Sequence, residues 1–149
     1  MITSQRLSDG VLIFLPLCPS TNARMRPVRM GGMCREILTS EARSYIQSVG
    51  LALKLWARAE KFQPIDVYSW VDLWFILPRT NCDAHNLGKV LFDALEVGRI
   101  VTREKNILPR VIGIWHDDEN PQAVVKLPSG RRKQVDLFMD TPRFLAENG

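Results

Sequence analysis

This 149-residue sequence has little of the chemistry that holds small proteins together through disulfides or metal. It contains three cysteines and two histidines. The three cysteines (Cys18, Cys34 and Cys82) are odd in number and show no Cys-x-x-Cys spacing. We therefore expect neither a disulfide framework nor a structural zinc site. Reduced thiols in a cytoplasmic protein are the simplest interpretation.

The sequence also lacks a long apolar run. The apolar stretch from Val11 to Leu17 is too short to span a membrane, and Pro16 interrupts it. It follows Asp9-Gly10 rather than a basic segment, so we interpret it as a β-strand and not as a signal peptide. No internal repeat and no low-complexity linker is found, and no membrane partner is expected.

What remains is an ordinary folded composition with a basic bias. Apolar residues make up 46% and charged residues 24% of the chain, which is long enough to bury a core of its own. The formal net charge is +4. Residues 18–38 show little periodicity and are interpreted as a long loop. Because Arg24, Arg26, Arg29 and Arg35 lie in it, we expect contacts with phosphates there.

Hydrophobic periodicity predicts the remaining elements. A helix with Ser40 as its N-cap carries an apolar stripe from Ala42 to Trp56, and a second helix ends at Gly98. Strands are predicted at 11–17, 67–77, 110–115 and 122–127. The strand at 67–77 is apolar on both faces, which indicates a central strand with Trp70 and Trp74 in the core.

The expected fold is α+β: a single domain with a mixed β-sheet, helices packed on it, and the order strand-helix-strand-helix-strand-strand. The last two strands should pair as a hairpin through an acidic turn at Asp117–Pro121. The domain should cover residues 1–127, with residues 128–149 as a loosely packed C-terminal extension.

A dense polar cluster opens the second predicted helix. It reads Asp83-Ala-His-Asn-Leu-Gly-Lys-Val-Leu-Phe-Asp-Ala-Leu95. Counted from Asn86, the offsets +3 and +7 put Lys89 and Asp93 on one helical face. Another face is apolar and carries Leu87, Val90, Leu91, Ala94 and Leu95. An acid at a strand end beside such a polar stripe can hold a divalent cation and a phosphate.

From about residue 10 to residue 127, the sequence resembles the RusA family of Holliday-junction resolvases. The residues from Asp83 to Leu95 are similar to the family pattern Asp-x-Asp-Asn-x-x-Lys-x-x-x-Asp-Ala-Leu. Further matches, in the same order as in the family, are Pro19-Ser20-Thr21-Asn22, Thr39 to Tyr45, and Glu119-Asn120-Pro121. The family is often carried by phages and prophages, which implies a cytoplasmic protein of bacterial or phage origin.

The resemblance implies a Mg²⁺-dependent homodimer that cuts four-way DNA junctions in recombination and repair. Asp83 and Glu104 would hold the metal, and Lys89 would be the cation at the phosphate. Branched DNA would contact Asn22, Arg24, Arg26, Arg29 and Asn86. At two positions the chain departs from the family: His85 replaces the second motif aspartate, and Glu104 replaces the last catalytic aspartate.

The departures leave three outcomes open, because an imidazole at His85 suits Mn²⁺ better than Mg²⁺. The chain could be an active enzyme that prefers Mn²⁺, a weakened Mg²⁺ enzyme, or a junction-binding protein that does not cut. His85 could equally face solvent or cap the helix. Asp93 is expected to pair with Lys89 at i+4 rather than to bind metal. A small α/β protein unrelated to DNA is the remaining alternative.

Overall fold

A computed structural model describes residues 2–20, 25–78 and 84–128 of this chain. In chain order its elements are β1 (Thr3–Arg6), β2 (Gly10–Pro16), β3 (Met25–Met30), β4 (Met33–Leu38), α1 (Ser40–Ala59), β5 (Ser69–Leu77), α2 (Gly88–Val97), β6 (Ile107–His116) and β7 (Gln122–Pro128). Single 3-10 turns lie at Ala84–Asn86 and Glu104–Asn106. The predicted α+β class, with a mixed sheet and helices packed on it, is confirmed.

The main sheet has five strands in the order β1-β2-β7-β5-β6. β5 is an interior strand of this sheet, because it pairs parallel with β6 and antiparallel with β7. β7 also pairs antiparallel with β2, so that Gln122 lies opposite both Pro16 and Ile76. The carboxyl ends of β2 and β5 therefore lie at the same end of the sheet, on either side of β7.

The pairing of the last two strands differs from the prediction. β6 and β7 do not form a hairpin with each other, because β5 lies between them. The acidic connection crosses the end of β5, where the Asp117 N–H donates to the Leu77 carbonyl at 2.9 Å. The Asp117 carboxylate then accepts from the Glu119 and Asn120 N–H groups. That acidic segment is thus a turn, as expected, but it joins strands that are two positions apart.

One face of the sheet and both helices enclose the core. Alternate residues of β2, β5 and β7 point inward, including Ile13, Leu73, Phe75 and Val125, each at most 1% exposed. The apolar face predicted for α2 is confirmed, since all of its members are fully buried: Leu87, Val90, Leu91, Ala94 and Leu95. Each such side chain contributes roughly 1.5–3 kcal/mol of burial free energy when it is of leucine or valine size.

The start of α1 and the end of α2 agree with the prediction to within a residue, whereas α2 begins at Gly88, after a 3-10 turn at Ala84–Asn86. The N-cap of α1 is Thr39 and not Ser40, because the Thr39 hydroxyl accepts from the Ala42 N–H at 3.3 Å. The helix still buries its predicted stripe of Ala42, Tyr45, Ile46, Val49 and Leu53. α2 ends at Val97 as expected. In the part of the chain that the structure describes, no helix is long and apolar enough to cross a membrane.

The N-terminal third contains strands that the sequence pattern did not reveal. β1 precedes the predicted first strand and pairs with β2. The segment interpreted as a loop contains the β3–β4 hairpin, a separate two-stranded sheet. The apolar residues of these two strands do not alternate regularly with polar ones, so the segment gave no strand signal. The element order is accordingly corrected to four strands before the first helix.

The tryptophans of β5 point away from the helices. Trp70, which was predicted to lie in the core, is 47% exposed. The Arg110 guanidinium lies 5.0 Å from the centre of its ring, and Arg110 Nε donates to Asp72 at 2.6 Å. Trp74 on the same face is only partly buried. The apolar character of both faces of β5 therefore reflects one core face and one partly open face.

Candidate functional site

The polar stripe of α2 contacts the turn that precedes β6. Lys89 Nζ forms a salt bridge with Glu104 Oε1, and it lies 3.5 Å from Asp93 Oδ1. Lys89 and Asp93 are one helical turn apart, whereas Glu104 follows in a separate 3-10 turn. Two of the residues implied as catalytic, Lys89 and Glu104, are thus in direct contact, and the expected i+4 pair of Lys89 with Asp93 is confirmed.

Glu104 is held through its backbone as well as its side chain. Its N–H donates to Glu96 Oε2 at 2.7 Å. Glu96 continues the stripe of α2, since it lies seven residues after Lys89. Sequence reasoning missed this residue, although its offset of ten from Asn86 places it on the same face. Two residues of the stripe therefore hold Glu104: Glu96 accepts from its backbone N–H, and Lys89 pairs with its carboxylate.

The turn that carries Glu104 is anchored to the body of the protein on its other side. Thr102 N–H donates to the Ile65 carbonyl at 2.9 Å, and Ile65 forms an isolated bridge with Val101. The Asn106 side chain is 6% exposed and donates to Thr102 Oγ1 at 3.1 Å. Because the backbone on both sides of Glu104 is fixed in this way, its carboxylate is presented in a defined position.

The electrostatics of the cluster keep Lys89 charged. Partial burial opposes the ammonium form, but the hydrogen bond to Glu104 and the nearby charge of Asp93 outweigh it, so the pKa of Lys89 is raised. The side chains of Lys89 and Glu104 are 37% and 36% exposed. Lys89 is therefore charged at neutral pH, and both side chains are open to a ligand from solvent.

A shallow pocket of about 260 Å³ lies beside this turn. Its lining includes Arg103 and Lys105, which flank Glu104 in sequence, and Asp66 on the connection before β5. Polar and charged groups predominate around it. The surface next to the cluster can therefore take a polar or anionic group more readily than an apolar one.

The start of α2 is tied to the end of β2. The Cys18 thiol donates to the Leu87 carbonyl at 3.1 Å, and the Tyr45 hydroxyl donates to the Pro16 carbonyl at 2.8 Å. Burial raises the pKa of Tyr45, which keeps this donor protonated. Asn86, partly buried, immediately precedes this junction. The start of the helix that carries Lys89 is consequently held at the end of the sheet where β2 and β5 both finish.

The other residues singled out from sequence are distributed as follows. Arg26 and Arg29 are exposed on β3. Asn22, Arg24 and Asp83 lie outside the described residues, as does the side chain of His85. Among the residues that the structure describes, no three His, Cys, Asp or Glu side chains form a group that could hold a metal ion.

No protein-family model matches the chain, and no curated protein matches it.

Proposed function

We propose that this protein is a divalent-metal-dependent endonuclease that cuts branched DNA, with four-way junctions as its substrate. The proposal rests on the motif between Asp83 and Leu95, which resembles that of the RusA resolvases. The single observation that supports it best is the contact between Lys89 and Glu104. These residues are 15 positions apart, and the resemblance assigns both to catalysis.

Lys89 is suited to contact the phosphate that is cut. Its raised pKa keeps the ammonium group protonated at neutral pH, and its side chain is partly open to solvent. A phosphate oxygen that approaches Lys89 would share it with Glu104 and Asp93. The ammonium group can then offset negative charge that grows on the phosphate during cleavage.

The described residues fit part of a site for Mg²⁺ or Mn²⁺. Glu104 supplies carboxylate oxygens, the ligands that Mg²⁺ prefers, at a fixed backbone position. Asp83 and Glu104, with His85, would hold the cation in this proposal, as the resemblance assigns them, and Glu104 would then share its carboxylate between the cation and Lys89. A divalent cation bound there supplies Lewis-acid charge for phosphodiester hydrolysis. The imidazole of His85 would favour Mn²⁺ over Mg²⁺.

A second candidate function is binding of branched DNA without cleavage. The ion pair favours it, because Lys89 already neutralises the Glu104 carboxylate that would have to bind metal. A protein of this kind would bind a junction equally well with and without divalent metal. It would cut under no condition.

A junction-cleavage assay separates these functions. Full-length protein is incubated with an end-labelled mobile four-way junction in Mg²⁺, in Mn²⁺ or in EDTA. We expect paired cuts with at least one metal, and a loss of at least about a hundredfold in rate for Asp83→Asn and Glu104→Gln. Glu60→Gln is the matched control, because Glu60 pairs with Arg6 at an exposed position outside the cluster.

The enzyme function is refuted if neither metal supports cutting, or if cutting survives Asp83→Asn. Junction binding that is retained without any cutting supports the second function instead. The proposal includes a homodimer, because paired cuts on a symmetric junction call for a two-fold symmetric enzyme. Light scattering should then give twice the 17.0 kDa mass of the chain.

A further inference from the structure

The β3–β4 hairpin is an arm that ends in a tight glycine turn. Gly31 and Gly32 have φ values of +58° and +81°, as a two-residue type I′ turn requires. Of the described residues, none besides the chain neighbours lies within 4 Å of the position that a Cβ would take on either glycine, and both glycines are exposed. Strands of six residues extend about 20 Å from root to turn. The turn therefore projects into open solvent.

The tip of this arm is apolar. Met30 and Met33 lie opposite each other next to the turn, and they are 54% and 58% exposed. Residues directly opposite in an antiparallel pair project from the same face, so the two thioether side chains are neighbours. Turns of exposed hairpins are usually polar. The pair of methionines there is a small, half-exposed apolar surface.

The flanks of the arm are basic. Arg26 and Arg29 are exposed, and because they are three residues apart on one strand they project from opposite faces. β3 carries no acidic residue. A two-stranded ribbon fits the major groove of DNA, and arginines on both of its faces can reach phosphates on either side of the ribbon.

The root of the arm is connected to elements that also carry the candidate site. The chain that leads into β3 contacts the start of α2, where the Cys18 thiol donates to the carbonyl of Leu87. β4 runs into Thr39, the N-cap of α1, and Leu38 packs partly against the core. The helix that carries Lys89 is thus tied to the chain seven residues before β3 begins.

We infer that the β3–β4 hairpin is a DNA-distorting arm whose Met30–Met33 tip inserts between bases at the branch point. The inference rests on the proposed action on branched DNA, and it names the part of the protein that would open the branch point. Apolar side chains, methionine among them, act as wedges in proteins that kink DNA. Met30 and Met33 separate the bases, and Arg26 and Arg29 hold the neighbouring phosphates.

Fluorescence of 2-aminopurine tests the arm directly. The base analogue is placed at the branch point of an immobile four-way junction, and full-length protein is added to saturation with Ca²⁺ replacing Mg²⁺. Wild-type protein should raise the fluorescence, because the analogue loses its stacking partner. Met30→Ser/Met33→Ser should lose most of that increase while it still saturates the junction in a gel shift.

Two further variants sharpen the assignment. Arg26→Ala/Arg29→Ala should keep the fluorescence increase at saturation but lower the slope of log affinity against log salt by about 2, or about 0.9 per lost phosphate contact. Leu51→Ser/Leu55→Ser is the matched control, since these leucines are 59% and 57% exposed on α1. It should behave as the wild type does.

The outcomes test the proposed role of the arm separately from the proposed action on branched DNA. If wild-type protein binds the junction without a fluorescence increase, or if Met30→Ser/Met33→Ser retains the full increase, the wedge is overturned and the junction-directed function stands. If wild-type protein fails to bind any branched DNA, both are overturned. A methionine variant whose mass by light scattering differs from wild type without DNA would identify the tip as a protein contact, which also overturns the wedge.

Discussion

Replacement of Gly50 by alanine should destabilise this protein, although the same change in most helix interiors is stabilising. A Cβ on Gly50 would lie 2.6 Å from Val97 Cγ1 and 3.0 Å from Val97 Cβ. Alanine is better than glycine in a helix interior by about 1 kcal/mol. Overpacking costs about 1–3 kcal/mol, and the upper end applies because a Cβ atom cannot move by side-chain rotation. We expect a net loss of about 2 kcal/mol in the free energy of unfolding.

A double-mutant cycle with Val97→Ala isolates this contact. Val97 is 51% exposed, so Val97→Ala alone should change the free energy of unfolding by only about 0.5 kcal/mol. It removes Cγ1, the closer of the two clashing atoms, so the double mutant should regain at least about half of the loss. Gly88→Ala is the control in α2: its added Cβ would meet only the movable end of the Phe92 ring, at 3.0 Å.

The measurement is urea unfolding followed by circular dichroism, with the slope m checked for constancy across the variants. Gly88→Ala should be between neutral and about 1 kcal/mol more stable than wild type. A Gly50→Ala variant as stable as wild type would refute the reasoning. Strict additivity with Val97→Ala would refute it as well, because the two residues would then not be in contact.

Three further predictions concern the core, the alkaline range and the site. Leu91→Ala, at a fully buried position, should lower the free energy of unfolding by about 2–5 kcal/mol in the same urea assay. Because burial raises the pKa of Tyr45, the free energy of unfolding should fall as pH rises above about 10, where the tyrosine of the unfolded chain ionises first. Tyr45→Phe loses the hydrogen bond to Pro16 and should lower the free energy of unfolding by about 1 kcal/mol at pH 7. The thermal midpoint of this variant should fall less steeply than that of the wild type above about pH 10. Glu104→Gln should change stability by less than about 1 kcal/mol, because its ion pair with Lys89 is more than a third exposed, so any loss of cutting by this variant cannot be attributed to unfolding.

The elements that could be predicted from sequence are those whose pattern reports burial directly. The stripe from Ala42 to Leu53 and the apolar face of α2 are both buried as their spacing indicates. β5 was recognised for the same reason, since apolar residues occupy seven of its nine positions. Helices report one buried face locally, through residues three and four apart.

Strand partners could not be predicted in this way. β6 and β7 are adjacent in sequence, yet each pairs with β5, because a short acidic turn can cross the end of the strand between them. Pairing is a property of the whole sheet and leaves no mark in either strand. Trp70 shows a related limit: its position in a central apolar strand indicated burial, but the partner on its face is Arg110 and not a helix.

The two ion pairs of the candidate site differ in the same way: sequence spacing predicts one of them and not the other. The pair Lys89–Asp93 lies within one helix and follows from spacing alone. The pair Lys89–Glu104 depends on how the chain turns between α2 and β6, and that turn is set by contacts with Ile65 far upstream. Only the family resemblance pointed to Glu104. Helical spacing places Glu96 on the same face, but its role is visible only once Glu104 is beside it.

The residues proposed to cut DNA and the arm proposed to distort it both follow strands that finish at the same end of the sheet. β2 ends at Pro16 and leads to the hairpin arm, while β5 ends at Leu77 and leads to the motif and α2; Gln122 of β7 lies opposite Pro16 on one side and Ile76 on the other. The Cys18–Leu87 hydrogen bond joins the two paths directly beyond that end of the sheet. Both paths therefore start from paired strands of one sheet. In the proposed function, the part that opens a base step and the part that cuts a phosphate would share this base.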